Sequence, residues 1–238
     1  MAFNATKCHV MTIHRGRNAL SHMYELCGVF LSHVTQEKYL GVLISNNLSW
    51  EPHISSTASK ASQKLGFLKR NLINCPPELK RLAYISTVRS SLEYASIVWD
   101  PAQSNHKSAL EGVQRRAARW ISSDYGRQSS VTGMMAKLGL ETLEDRRRNS
   151  RLIFLYKILN DKVAIEPLQL DLQKNPRAVR GLSTQDKLLV NRCNTNQLKC
   201  HFSARTVPEW NKLPQKTTSA DSVPTFKSQL TGKPRPSQ

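Results

Sequence analysis

With 238 residues the chain can bury a substantial core, as one domain or as two small ones. It carries 35 Lys and Arg against 17 Asp and Glu, a formal net charge of +18 with a pI near 10.1. That excess is more than solubility needs and favours a polyanionic partner, nucleic acid or an anionic membrane surface.

Five scattered cysteines (Cys8, Cys27, Cys75, Cys193 and Cys200) are odd in number and argue against a disulfide scaffold. Cys193 and Cys200–His201 lack both a CxxC and a second histidine at finger spacing, so a zinc site there is disfavoured. No apolar run approaches membrane-spanning length and no signal-peptide core opens the chain, so the expected compartment is cytoplasmic or nuclear.

Residues 1–50 read as short strands. Cys8–Ile13 suits a partly buried strand. Met23–Leu26 and Val29–Val34 flank Gly28 as a hairpin, and Tyr39–Ile44 alternates around Gly41 as a strand pairing next. A few short strands with one face uncovered make a poor independent domain. The expectation is that covering sequence is missing before them, and that this region is less stable than the helices after residue 50.

From Pro52 the pattern turns helical. Ile54, Ala58, Ala61, Leu65, Leu68 and Leu72 form one apolar stripe, with Lys60, Lys64 and Lys69 largely off it and Arg70 beside them. A second helix from Pro76–Pro77 is expected to bury Leu79, Leu82, Ile85, Val88, Leu92, Ala95 and Trp99, and to stop at Asp100–Pro101. A third, about Ser104 to Ser122, turns Leu110, Val113, Ala117, Trp120 and Ile121 inward and leaves Arg115, Arg116 and Arg119 mostly outside. Short connections imply antiparallel neighbours.

A short helix around Val131–Leu138 ends at Gly139. A fifth begins at Thr142, a capping residue, with Glu144 and Asp145 favourable in its first turn. It carries Arg146, Arg147, Arg148 and Arg151 before an apolar run from Leu152 to Leu159. Residues 168–206 are polar and basic, and 214–238 are rich in Lys, Ser, Thr and Pro and read as mobile. Between them Val207–Leu213 keeps one Trp suited to docking on the helices.

Catalytic motifs are absent: no GxxxxGK[ST], GxSxG or HExxH occurs. The adjacent pair Glu144–Asp145 is explained by helix capping, and residues 1–50 contain only Glu25 and Glu37 as acids. Two-metal phosphoryl transfer needs clustered carboxylates. The chain by itself is therefore expected to catalyse nothing.

The basic helices carry the stronger signal. Residues 51–160 hold 18 basic and 9 acidic side chains, and cations recurring on one helix side can neutralise phosphates. Lys60 with Lys64, and Arg115 and Arg116 with Arg119, favour binding. Arg146–Arg148 read equally well as a solvated surface. Trp50, Trp99 and Trp120 read as core anchors rather than base-stacking platforms.

MAFNATKCHVMTI, EKYLGVLISNNLSWEPHI, KASQKLGFLKRNL, RSSLEYASIVWDP, VQRRAARWI and VPEWNKLP, in that order, resemble the C-terminal part of a jockey-like non-LTR retrotransposon reverse transcriptase. The resemblance covers about residues 1–165 closely and the rest loosely. It implies that Asn4–Lys7 corresponds to a palm motif whose lysine, Lys7, lies near the incoming nucleotide. It implies likewise that Tyr39, Leu40 and Gly41 belong to the hairpin supporting the primer end.

The helices beyond that hairpin would be a thumb holding an RNA–DNA or RNA template–primer duplex through Lys60, Lys64, Lys69, Arg70, Arg115, Arg116 and Arg119. The family's metal-binding aspartate motifs do not occur here, so Mg²⁺ is implied only for a complete family member and a catalytic palm would come from elsewhere. The expected fold is α+β: a truncated palm edge of short antiparallel strands (1–50), a mainly helical thumb-like bundle (51–165) and a poorly ordered basic tail (166–238). A host protein reusing the bundle as a protein-interaction module is the alternative, and membrane-surface binding is disfavoured.

Overall fold

The computed structural model describes residues 4–13, 22–173 and 187–232. The arrangement is α+β: short strands in separate two-stranded pairs, followed by a mainly helical part. The basic stretch His14–Asn18, which the sequence suggests as a turn, and residues 174–186 and 233–238 of the basic tail lie outside the described residues. The chain divides into two compact units, Met1–Leu92 with Gln103–Val113, and Glu93–Ala102 with Gln114–Gln238.

In the first unit β1 (His9–Val10) pairs in parallel with β4 (Ser32–His33), while β2 (Glu25–Leu26) and β3 (Val29–Phe30) form the hairpin expected around Gly28. The Tyr39–Ile44 segment is not one strand. β5 (Gln36–Tyr39) and β6 (Val42–Ser45) are antiparallel, in register Tyr39 to Val42 and Gln36 to Ser45, and Leu40–Gly41 is the turn between them. Leu40 and Gly41 both have positive φ, 46° and 86°, as two-residue hairpin turns of the primed kind require. The alternation suggests a strand because Leu40 is apolar, yet at this tip it is 74% exposed.

The chain turns at Asn46–Asn47 and enters α1 (Glu51–Asn71), with Pro52 in its first turn. On the expected stripe Ile54, Ala61, Leu65 and Leu68 are buried and Ala58 and Leu72 half-buried, and His53 is buried beside it. The stripe covers β6 and the segment after α2 (Pro77–Ala83).

That segment departs from a regular helix. Tyr84–Arg89 winds as a π turn, then come α3 (Ser90–Glu93), a break at Ala95 with φ 51°, and α4 (Ser96–Trp99). The wider i→i+5 turn brings residues four apart into line, so Lys80, Tyr84, Val88 and Leu92 are buried. Leu79 and Leu82, expected inside, are exposed, and Ile85 is half-buried. At the break the Trp99 indole Nε1–H donates to the Tyr94 carbonyl at 2.8 Å, and Trp99 is fully buried.

α5 (Ser104–Ile121) spans the unit boundary, with Leu110, Val113, Ala117, Trp120 and Ile121 buried as expected. In the second unit α6 (Val131–Lys137) is capped by Ser130 and followed by Gly139 at φ 62°. α7 (Leu143–Leu159) opens with a reciprocal cap: Asp145 N–H donates to Thr142 Oγ1 at 3.0 Å and Thr142 Oγ1–H to Asp145 Oδ2 at 2.7 Å.

The tail differs most from expectation. α8 (Asn196–Lys199), α9 (Phe202–Trp210), α10 (Gln215–Thr218) and α11 (Val223–Thr231) are helical, and α9 and α11 pack on α7. Leu152, Leu155, Tyr156, Ile158, Leu172, Leu188, Val207, Trp210, Ala220 and Phe226 form one buried cluster. Tyr156, Phe226 and Trp210 stack in series, at 4.5 Å and 5.7 Å between centroids. The docked Trp210 agrees with the sequence reading. Helices of four to nine residues are too short to show a period or to stand alone, so packing on α7 makes them.

His53 ties α1 to the hairpin. Its Nδ1 accepts the Leu43 N–H at 3.1 Å, which requires an unprotonated Nδ1, and burial together with Lys60 holds its pKa below the usual 6.5. On acidification the unfolded chain takes this proton first. The stabilisation is therefore complete above about pH 6.5 and is lost as the pH falls through the lowered native value. Leu43 amide exchange, corrected for intrinsic rate, is expected to lose protection below pH 6.5 in the wild type. In His53→Ala protection should be low and flat with pH.

Candidate nucleic-acid interface

Helix geometry sorts the cations of α1. At about 100° per residue, Lys60 and Lys64 lie within roughly 40° of each other, and Phe67 and Asn71 fall in the same narrow arc. All four are exposed. Among the described residues no carboxylate pairs with Lys60 or Lys64. Lys69 projects to the other side of the helix and is half-buried, so it does not join them. Arg70 is exposed on a flank, and its Nη1 lies 3.6 Å from where a Cβ on Gly66 would stand, so its guanidinium lies back along the helix.

On α5, Arg115, Arg116 and Arg119 span an arc of roughly 100° away from the buried face. Arg115 and Arg116 are exposed. Arg119 is half-buried and donates from Nη1 to the Gly126 carbonyl at 3.2 Å, bracing the loop after α5. In that loop Asp124 accepts from Ser129 Oγ at 2.7 Å and from Gly126 N–H at 3.0 Å, and these bonds lower its pKa. Lys60 and Lys64 belong to the first unit and Arg115, Arg116 and Arg119 to the second.

The arginines of α7 have a different role. Arg146 forms a two-pronged pair with Glu93, Nη2 to Oε2 at 2.9 Å and Nε to Oε1. Arg147, 1% exposed, donates from Nε to Asp100 Oδ1 at 2.8 Å. Arg151 Nε lies 3.1 Å from Asp100 Oδ2, and Arg205 Nη2, from α9, lies 2.9 Å from the same oxygen. Arg205 Nη1 also donates to the Asp100 carbonyl. Glu209 receives Arg151 Nη2 at 3.1 Å and stands 3.6 Å from Arg148 Nε. Burial pushes the Arg205 guanidinium below its ordinary pKa while Asp100 holds it up.

These cations organise the fold through Glu93, Asp100 and Glu209. The sequence does not disclose the pairing, because Asp100 precedes Arg205 by 105 residues.

The residues matched to palm motifs sit on turns. Asn4–Lys7 forms a short 3₁₀ turn capped by Asn4 Oδ1, which accepts from Thr6 N–H at 3.1 Å, and Lys7 is exposed. Tyr39 and Leu40 stand exposed at the β5–β6 tip with Gly41. Charge patterning alone does not single out Phe67, which is 58% exposed between the lysines of α1 and Asn71. Its one signal in the sequence is an aromatic standing off the apolar stripe. Among the described residues no three His, Cys, Asp or Glu side chains gather as metal ligands, and no helix is long and apolar enough to cross a membrane.

A probable RNA-directed DNA polymerase from transposon BS of Drosophila melanogaster is 30% identical to the chain over 133 residues, 53% of this chain and 14% of that protein. The chain thus spans a small part of the length of the relative it matches, and the likeness is at the level of family. No protein-family model matches the chain, and no solved structure does.

The Asp100 cluster makes a direct prediction. Removing one member of a buried ion network leaves uncompensated charge and costs about 3–5 kcal/mol. Asp100→Ala, which strands Arg147, Arg151 and Arg205, is expected to lower stability by that amount, whereas Lys60→Ala changes it by less than about 0.5 kcal/mol. Urea unfolding followed by tryptophan fluorescence measures both.

Proposed function

We propose that the chain is a nucleic-acid-holding segment of a non-LTR retrotransposon reverse transcriptase of the jockey-like kind. In this reading residues 1–50 are the edge of a palm with the primer-supporting hairpin at Tyr39–Gly41. Residues 51–165 act as a thumb on a template–primer duplex, and 166–238 extend it. The observation that carries the reading is the division of the cations: the α7 arginines are spent on internal carboxylates, while Lys60, Lys64 and Arg115 face solvent with no ion-pair partner among the described residues. Similarity to a transposon RNA-directed DNA polymerase supports the same partner.

Phosphate contacts by such side chains are sequence-independent and weaken with salt, each contributing nearly one to the log–log slope. Fluorescence-anisotropy titration of an RNA–DNA duplex at several salt concentrations tests this. Lys60→Ala with Lys64→Ala, or Arg115→Ala with Arg116→Ala, is expected to weaken binding and to lower the slope by about two, with unchanged circular dichroism. Arg146→Ala changes folding rather than the slope. An unchanged slope in both double variants returns these cations to ordinary surface solvation.

The chain alone is proposed not to polymerise, since its first 50 residues offer only Glu25 and Glu37 where two metals need clustered carboxylates. Primer extension with Mg²⁺ or Mn²⁺ is expected to show no incorporation, and incorporation by pure protein refutes this. A protein-interaction module is the second reading, favoured by the exposed Leu79 and Leu82 of α2. Binding that is indifferent to salt would support it.

A further inference from the structure

We infer that Phe67 is a stacking platform for an unpaired base, held beside a backbone that Lys60 and Lys64 grip. The inference rests on the nucleic-acid reading and adds to it a preference for strands that leave the duplex. Three observations carry it.

First, Phe67 is 58% exposed in the middle of a helix that buries its apolar stripe, on another face, at Ile54, Ala61, Leu65 and Leu68. The described residues leave more than half of the ring uncovered. Burying a phenyl group is favourable by about 1.5–3 kcal/mol, and Phe67 forgoes most of that.

Second, the ring shares its arc with Lys64 and Lys60, one and two turns toward the N-terminus, and with Asn71, one turn beyond. Asn71 Nδ2 donates to the Phe67 carbonyl at 2.8 Å, so its side chain lies against the backbone there. Side chains on a helix lean toward its N-terminus, so Phe67 leans toward the lysines. Cations beside an exposed aromatic face are the two elements by which proteins hold single strands without reading their sequence.

Third, the residues around the ring leave it accessible. Gly66 adds no side chain, and a Cβ there would meet only the Arg70 guanidinium, at 3.6 Å. Glycine within a helix costs about 1 kcal/mol relative to alanine. At this position it makes the space that the Arg70 guanidinium takes up, which sets a further cation on the flank of Phe67.

Bases inside a duplex are stacked on both faces and present none to a side chain on a helix surface, whereas an unpaired nucleotide does. The occupant is therefore the first unpaired nucleotide at a single-strand to duplex junction, with its 5′ and 3′ phosphates near Lys60, Lys64 and Arg70.

The test uses the full chain and two labelled RNA–DNA duplexes, one blunt and one with a single-stranded overhang carrying 2-aminopurine at its first unpaired position. Phe67→Ala is expected to weaken binding of the overhang duplex about 5- to 100-fold, to leave blunt-duplex binding and the salt slope unchanged, and to abolish 2-aminopurine quenching. Phe67→Trp is expected to retain both affinity and quenching. Because the ring is exposed, neither change should lower the urea midpoint, which is measured alongside.

Equal affinity of Phe67→Ala and wild type for the overhang duplex overturns the inference while leaving the nucleic-acid reading standing. If the wild-type chain shows no salt-sensitive binding to either duplex, the reading itself fails and the inference with it. Loss of self-association in Phe67→Ala with unchanged nucleic-acid affinity assigns the ring to a protein contact and overturns the proposal.

Discussion

Three guanidinium groups converge on the carboxylate of Asp100, and the helical unit around it depends on that convergence. Arg147 and Arg151 come from α7, and Arg205 from α9, all within 3.1 Å of a carboxylate that is itself buried. Pro101 prepares the geometry: a residue before proline avoids the helical region, and Asp100 has ψ 116° at the end of α4. The chain stops being helical at the point where the carboxylate must face α7. Charges this deep are tolerated only when paired and hydrogen-bonded. The network therefore specifies which face of α9 meets α7 more than it adds to net stability.

Around that polar joint the apolar part of α7 explains itself. Its run from Leu152 to Leu159, apolar but for Lys157, is greasier than a one-sided helix requires, and the structure covers it from two directions, by α9 and α11. Tyr156 extends the same compromise between polar and apolar, stacking on Phe226 while its hydroxyl donates to the Ala220 carbonyl. Burial raises its pKa, which keeps the proton needed for that bond. The first unit is joined differently. There a single neutral imidazole, His53, accepts a backbone N–H from the hairpin that α1 packs against.

The formal charge of +18 overstates what a polyanion would meet. Arg146, Arg147, Arg151 and Arg205 are committed to carboxylates within their own unit, and Arg119 to a loop carbonyl. Among the cations that face outward on the helices, two groups are local: Lys60 and Lys64 around Phe67, and Arg115 with Arg116 on α5. Local placement of cations, rather than their total, distinguishes a binding face from ordinary surface charge.

Features governed by local rules were legible in the amino-acid order. The α1 stripe, the Thr142 cap, the stop at Asp100–Pro101, the inward face of α5 and the docking of Trp210 all come from periodicity, capping and proline sterics within a few residues. The α+β class and the likeness to a transposon polymerase were legible for the same reason, being carried by contiguous motifs. Other features were settled only by packing between elements. The Leu40–Gly41 turn hides in an alternating apolar run, because a leucine with positive φ has no signature of its own. The π turn at Tyr84–Arg89 rotates the buried face onto Lys80 and Tyr84 and leaves Leu79 and Leu82 outside, a shift no fixed period anticipates. Helices as short as α9 to α11 exist because α7 offers them an apolar surface. Whether an arginine is internal or available depends on an acid far along the chain, as Asp100 is for Arg205. Such pairings are long-range contacts between elements, and no local window of sequence contains both partners.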